Sequence, residues 1–496
     1  MKEKPLRSAK ITLLATTPLL LASCLSLGPK HKVPEVALAS EWSEQSDAFA
    51  VAAGKEGAPE AWWVLFNDPK LTELVERAKM NNIDLKTALA RVQESRELLR
   101  VQGAGYYPSV DGNASVTRNR VSKDLPNGAG GPPKNPSNTW STGLDATWEA
   151  DIFGRVKSGV EAARAEVSAS EASMEDVLVS LQGEVAIAYM ELRGRQEQLK
   201  VVERNLSTQE ETLQLTTKRM EAGLATALDV ARAQAQVATT RSQLSPLREG
   251  MRRSIHRLSV LVGEQPSALA EELTPAGSVP QLTTKASFSP PADLIRRRPD
   301  IRQAERNLAA ETARIGVRKA ELYPRFTLSG NLGVAAGRLG DMSTGTSNYW
   351  SIGPGVTVPL FNAGALRAQV RAQDKRAEAA LEQYRQTVLL AMEETENALV
   401  AYSEEQERRL ALEEAVTANE KALALSRELF DKGLIDFLDV LDAERALLGS
   451  QSSLAESRSQ VAVNLVAAWK AMGGAWESPE TKPAAPAAEP KSEPKS

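Results

Sequence analysis

The chain states one structural plan twice, and any fold it adopts has to accommodate both copies. Tyr107-Pro108 returns as Tyr323-Pro324. An Asp lies 24 positions before the proline each time, Asp84 within Ile83-Asp84-Leu85 and Asp300 within Pro299-Asp300-Ile301. Gly223-Leu224, followed by Leu228-Asp229-Val230, returns as Gly433-Leu434, followed by Leu438-Asp439-Val440. The first two landmarks are offset by 216 positions and the third by 210, so a few residues were lost between them. A long, fixed period marks a duplicated structural unit.

Each copy reads as a helix, two strands, then two helices joined at the Gly-Leu turn. Apolar residues recur every seven positions in the helical tracts: Leu71, Ala78, Leu85, Val92, Leu99; then Leu178, Val185, Leu192, Leu199, Leu206, Leu213, Met220; and in the second copy Ile301, Leu308, Ile315, Leu322. A sustained seven-step stripe imposes left-handed supercoiling on neighbouring helices. No proline falls between Arg155 and Ala222, and at 1.5 Å per residue such a helix would be roughly 100 Å long. Gly183 and Gly194 weaken it without breaking it. Aromatics make up only 5% of the chain, which suits helices packed through small side chains. A soluble coiled-coil scaffold would account for these helices taken alone.

Four alternating segments separate the two readings. They are expected at 109–118, 140–149, 325–335 and 349–360. Val110, Gly112, Ala114 and Val116 alternate with Ser109, Asp111, Asn113 and Ser115; Trp140, Leu144, Ala146 and Trp148 share a face with Thr142. Phe326, Leu328, Leu332 and Val334 form a third face; Trp350, Ile352, Val356, Val358 and Leu360 form a fourth, interrupted by Pro354. About 10 residues with a two-step beat is the length a tilted strand needs to cross a bilayer. Tyr106, Tyr107, Tyr323, Tyr349, Trp350 and Phe361 fall near strand ends, where an aromatic girdle sits. The Gly-, Pro- and Asn-rich stretch 124–138 and the Gly- and Ser-rich stretch 337–348 read as exposed loops. Four strands cannot close a barrel, and an open edge cannot sit in lipid, so several copies must share one sheet. Strand arithmetic alone allows a dimer or a trimer.

The N-terminus carries Lys2, Lys4, Arg7 and Lys10, then an apolar stretch from Ile11 to Leu21 that is too short to span a bilayer. Leu20-Leu21-Ala22-Ser23-Cys24 closes this secretory signal. Cys24 is the only cysteine, so it has no disulfide partner in an exported chain. The run resembles the bacterial lipoprotein cleavage box, which implies cleavage before Cys24 and acylation there. Leu25, in place of Asp, favours sorting to the outer membrane. The tail from Glu477 to Ser496, rich in Pro, Ala, Lys and Glu, should be disordered. The net charge of −4 and pI near 5.7 give no footing to nucleic-acid binding.

With these residues in view, the chain resembles the TolC-like outer-membrane efflux proteins, within them the OprM-like lipoprotein branch that serves resistance-nodulation-division (RND) pumps. The carriers are the Cys24 box, Leu27-Gly28-Pro29, Trp62-Trp63, Phe66-Asn67-Asp68-Pro69-Lys70-Leu71, Arg297-Arg298-Pro299-Asp300-Ile301 with Ala304-Glu305, the two Tyr-Pro pairs and the two Gly-Leu turns. His31 departs from the branch, which has an aromatic there. The resemblance implies an α+β membrane protein: a homotrimer with a twelve-stranded outer-membrane β-barrel, four strands per chain, continued by a long α-helical coiled-coil tunnel through the periplasm. It implies as partners a periplasmic adaptor (membrane fusion) protein, an inner-membrane RND-type transporter and outer-membrane lipid. The divisions expected are 1–23 signal peptide, 24–65 acylated segment, 66–262 first repeat, 263–295 linker in an equatorial belt, 296–472 second repeat and 473–496 tail.

No catalytic constellation, phosphate loop or metal-spaced cluster stands out, and no cofactor or enzymatic activity is expected. Gating is the chemistry on offer. Asp229 follows one Gly-Leu turn, and Asp436, Asp439 and Asp442 follow the other. Several chains would present them as carboxylate rings that attract cations and strain a closed mouth. An Asp at a helix start also serves as a cap. The resemblance implies that Asp439 and Asp442 form the periplasmic aperture and that Asp229 pairs across helices to hold it shut. The family's arginine partner is replaced here by Ile435. Gly223, Leu224, Gly433 and Leu434 are the candidate adaptor-docking turns. The implied function is the passive exit duct of a tripartite small-molecule efflux pump; an ATP-driven protein-export duct and a lipid-tethered periplasmic scaffold are the alternatives.

Overall fold

A computed structural model describes residues 27–44, 46–52, 61–120, 136–282 and 285–474. The signal peptide, Cys24, most of the loop at 124–138 and nearly all of the tail lie outside the described residues. In chain order the elements are β1 (Phe49–Val51), α1 (Pro69–Asn81), α2 (Ile83–Ala104), β2 (Ser109–Asn119), β3 (Ser137–Ala150), α3 (Arg155–Glu221), α4 (Ala227–Ser242), α5 (Leu244–Leu261), α6 (Ala270–Leu273), β4 (Ala286–Phe288), α7 (Pro291–Arg297), α8 (Pro299–Ala320), β5 (Arg325–Ala336), β6 (Asn348–Thr357), α9 (Ala365–Asp431) and α10 (Phe437–Ala471). The two halves follow one order: α2 and α8 are each 22 residues long, and α3 and α9 each 67. No helix among the described residues is long and apolar enough to cross a membrane.

The chain gathers into two compact units, each assembled from three stretches of sequence. Among the described residues, the first draws on 27–35, 91–171 and 303–384. Its centre is an antiparallel sheet in the order β2-β3-β5-β6. Register makes this sheet two-faced. Val110 lies opposite Ala146, Val116 opposite Trp140, Leu144 opposite Leu332, Trp148 opposite Leu328, Leu332 opposite Trp350 and Phe326 opposite Val356. All the apolar stripes therefore fall on one side, while Asp111, Asp145, Asn331 and Ser351 form a row on the other. The apolar side is bare in a single chain: Leu144 is 52% exposed, Leu332 59%, Ile352 68% and Trp350 73%.

Tyr349 differs from the girdle expectation. It pairs with Gly333 and so stands on the polar face. Trp350, one residue on, does belong to the apolar face, because side chains alternate along a strand. The expected fourth strand also ends early. β6 stops at Thr357, where its partner β5 begins at Arg325, and Val358 to Leu360 have no strand beside them in one chain. In the same unit, His31 Nε2 lies 2.5 Å from Oε1 of the buried Glu305, fastening the N-terminal segment to α8.

Among the described residues, the second unit draws on 36–90, 172–302 and 385–474. The motifs that carry the resemblance work here as scaffolding. Asn67 adopts a left-handed φ of 51°, Asp68 Oδ1 accepts from the Lys70 and Leu71 amides at 2.8 and 3.0 Å, and Pro69 opens α1. Asp68 Oδ2 accepts from the Tyr189 hydroxyl at 2.8 Å. Trp62 packs on Trp63 and Trp469 at ring distances of 5.6 and 5.4 Å. Arg298 grips Asp300 and donates to the Ala471 carbonyl at 2.6 Å, holding the end of α10. β1 pairs in parallel with β4, and Phe49, Leu269, Phe288, Trp469 and Met472 share one buried core.

Two helices are cut where the expected plan has one helix run on. Asn82 separates α1 from α2: its side chain accepts from the Leu85 amide and donates to the Leu261 carbonyl, both at 3.0 Å. α4 ends at Ser242 because Pro246 has no N–H for the Ser242 carbonyl and its ring would collide with it. The second copy has no such proline, and α10 runs unbroken for 35 residues.

Candidate gating and docking site

The two Gly-Leu turns fold alike. Gly223 takes a φ of +72° and Gly433 one of +74°. The Gly223 amide donates to the Met220 carbonyl at 2.9 Å, and the Leu224 amide to that of Arg219 at 2.7 Å. In the second copy the Gly433 amide donates to Phe430 and the Leu434 amide to Leu429, each at 2.9 Å. This pair of hydrogen bonds satisfies carbonyls in the last turn of α3 and of α9, and the left-handed glycine is what permits it. Nothing lies within 4 Å of where a Cβ would stand on either glycine. Leu224 is 73% exposed and Leu434 67%, so both turns present an uncovered apolar tip.

The four aspartates differ in their surroundings. Asp229 closes a capping box: its Oδ2 accepts from the Thr226 hydroxyl at 2.7 Å and the Thr226 amide at 3.0 Å, and its own amide donates to Thr226 Oγ1 at 3.2 Å. The Thr226 side chain, then its backbone, holds the Asp229 carboxyl below the ordinary carboxylate range. Both acceptor bonds stay within its own turn and lead to no second helix. Asp436 occupies the matching N-cap of α10 but caps nothing with its side chain. Asp439 and Asp442 are exposed, and Asp442 accepts from Arg445 at 3.3 Å. Steps of three align 436, 439 and 442 roughly along one flank of α10, away from the buried Phe437, Val440 and Leu441.

Cross-helix links in this region come from residues that sequence reasoning passed over. Arg219 of α3 stands 4.5 Å over the Phe430 ring of α9 and donates to Asp431 at 3.4 Å. Phe430 packs on Phe437 at 5.5 Å. Glu444, whose side chain is only 4% exposed, accepts from Arg427 at 2.8 Å and from the Thr212 hydroxyl at 3.2 Å. Arg445 donates to Gln236 at 2.7 Å, tying α10 to α4. A signal for Glu444 was present: it falls seven residues after Phe437, a carboxylate set on an apolar step. Charges fixed on facing helices can clamp a mouth or release it. Among the described residues, no group of three or more His, Cys, Asp and Glu is placed to hold a metal ion.

Comparison with known proteins gives these features a setting. Residues 74–264 and 291–474 match the family described as "Outer membrane efflux protein". Nodulation protein T of Rhizobium leguminosarum bv. viciae is 33% identical over 470 residues, covering 94% of each chain. The probable efflux pump outer membrane protein TtgC of Pseudomonas putida is 31% identical, covering 93% of this chain and 95% of its own. The solved structure of the outer-membrane channel OprN superposes with a TM-score of 0.83 at 35% identity, covering 90% of this chain and 99% of that one.

Proposed function

This chain belongs to the outer membrane efflux protein family, and from that premise we propose how one copy builds and gates an outer-membrane efflux duct. The observation that carries the proposal is the sheet. One face is apolar across all four strands and uncovered, while the other is polar. Such a sheet suits hydrocarbon on one side and water on the other. Its two edges, β2 and β6, need partners in lipid. Three copies give a twelve-stranded ring, and the paired α3 and α9 helices continue it as a periplasmic tunnel.

Solutes pass through the duct without covalent chemistry, and the protein is not an enzyme. Asp436, Asp439 and Asp442 line the periplasmic aperture. They raise the local cation concentration and oppose closure by mutual repulsion. With Ile435 in place of the family's arginine, the Arg219–Asp431 and Arg427–Glu444 links take over the clamp. Leu224 and Leu434, on rigid Gly223 and Gly433 turns, dock a periplasmic adaptor, which connects the duct to an inner-membrane RND-type transporter. Cys24 carries the acyl chains that add a lipid anchor; two or more chains suffice for stable attachment.

Purified protein inserted into planar lipid bilayers tests the central claim. Discrete, cation-preferring conductance steps are expected. A soluble, non-conducting monomer after delipidation would sink it.

A further inference from the structure

We infer that β6 of one copy pairs with β2 of the next in a single register, placing Thr357 opposite Asn113 and Ser351 opposite Asn119 of the neighbouring copy. This rests on the shared-ring reading above and specifies its seam.

The internal repeat supplies the template. The 216-residue offset carries Tyr107-Pro108 and the start of β2 onto Tyr323-Pro324 and the start of β5. The 210-residue offset carries Gly223 onto Gly433, and also the left-handed Gly154 after β3 onto the left-handed Gly364 after β6. These two offsets can be checked against the hairpins. They turn the pair Ser109–Thr147 into Arg325–Thr357, and Thr117–Thr139 into Gly333–Tyr349. Both pairs are observed. The two hairpins therefore share one register, residue for residue.

β3 against β5 is the junction between those hairpins, and in a closed ring the same junction recurs wherever one copy meets the next. The offsets turn Thr147–Ser329 into Thr357–Asn113, and Ala146–Gly330 into Val356–Ala114. Faces agree without adjustment: Val356, Val358 and Leu360 meet Ala114, Gly112 and Val110, apolar against apolar. A slip of one residue would turn apolar side chains toward water.

The early end of β6 fits the same scheme. Trp148, Glu149 and Ala150 extend β3 beyond its pairing with β2, and only β5 lies beside them. Their counterparts under the 210 offset are Val358, Pro359 and Leu360, which alternate like a strand yet lie outside β6, with Leu360 91% exposed. The neighbour's Gly112, Asp111 and Val110 stand where β5 stands for β3.

Cysteine pairs test this, since Cys24 is the only natural cysteine. Directly opposed residues have Cα atoms about 4.5–5.5 Å apart, within disulfide reach; residues two further along are about 7–8 Å away. Full-length protein carrying Thr357→Cys with Asn113→Cys is oxidised in outer membranes and run without reductant. A ladder of covalent dimers and trimers is expected, and Ser351→Cys with Asn119→Cys should give the same ladder should the first pair assemble poorly. Thr357→Cys with Asp111→Cys or Ser115→Cys should remain single chains. A ladder from either shifted pair, with none from the two predicted pairs, overturns the register and leaves the shared ring standing. No ladder from any pair in protein whose native mass is a multimer also overturns the register. A native mass of one chain overturns the ring as well.

Discussion

Tyr349 fills the space above Gly333. A Cβ added at Gly333 would stand 2.7 Å from the Tyr349 hydroxyl oxygen and 2.8 Å from its Cζ, and one added at the adjoining Gly143 would stand 3.0 Å from that hydroxyl. Gly143, Gly333 and Tyr349 are successive members of one cross-strand row on the polar face. The phenol therefore lies along the wall rather than projecting from it, as aromatic cover over strand glycines does elsewhere. Gly333→Ala should drive the ring outward and press on the Thr142 carbonyl 2.6 Å away. Overpacking of this kind costs about 1–3 kcal/mol. A lower melting temperature and a smaller single-channel conductance are expected, and unchanged values in both would refute the account.

Arg427→Ala should loosen the tip. It leaves the Glu444 carboxylate buried without its cation, a change that costs about 3–5 kcal/mol in a fully buried pair. Arg427 is 42% exposed, so the loss should fall below that range. Adding Glu444→Leu should recover most of it. Limited proteolysis near the Gly433 turn provides the readout, and equal cleavage of the single and double variants would show that the pair does not hold the tip.

Asp439→Ala with Asp442→Ala should raise conductance or weaken cation preference. The carboxylates are exposed, so the effect should shrink in high salt as their field is screened. Identical conductance and selectivity in the variant would exclude them from the aperture.

Thr226→Ala should cost about 1 kcal/mol at the start of α4, the usual loss for a capping threonine. The pH dependence follows from the lowered titration of Asp229. Because the folded carboxyl ionises more readily than the ordinary 3.8, its contribution is complete above that value and lost as pH falls through the lower folded one. Hydrogen exchange at the α4 amides should separate wild type from variant most at neutral pH, and the gap should narrow in strong acid to the share held by the Thr226 Oγ1 cap of the Asp229 amide, which does not titrate. A gap of the same size at every pH would refute the linkage.

Cys24→Ser should abolish incorporation of labelled palmitate, while the sheet still delivers the chain to the outer membrane. Label retained on the variant would place the acyl chains elsewhere.

Much of this architecture was legible in the residues. The strand alternation beginning at Ser109 and Arg325 and the proline-free run from Arg155 are local patterns, and local patterns survive folding. The register of neither hairpin was read from the sequence, although the two observed registers agree under the repeat's offsets. The break at Asn82 was harder to see, because its cap needs a carbonyl on Leu261, far away in sequence. The place of Tyr349 depended on parity and on two glycines in other strands. At the tip, sequence located the turns and the aspartates, but the partners of Glu444 and Arg219 depend on which helices face each other. Motifs such as Trp62-Trp63 and Arg298-Pro299-Asp300 carry the resemblance and sit in packing and caps. The Gly-Leu turns and the Cys24 box carry it too, and they also enter the proposed mechanism.

The bare apolar side of the sheet constrains the life of the chain before assembly. Newly exported, each polypeptide bears a broad sticky surface and two raw strand margins. Water is a poor medium for both, and crowding invites clumping. On the proposed ring, only assembly covers this surface, so the unassembled chain should be the form most prone to aggregate.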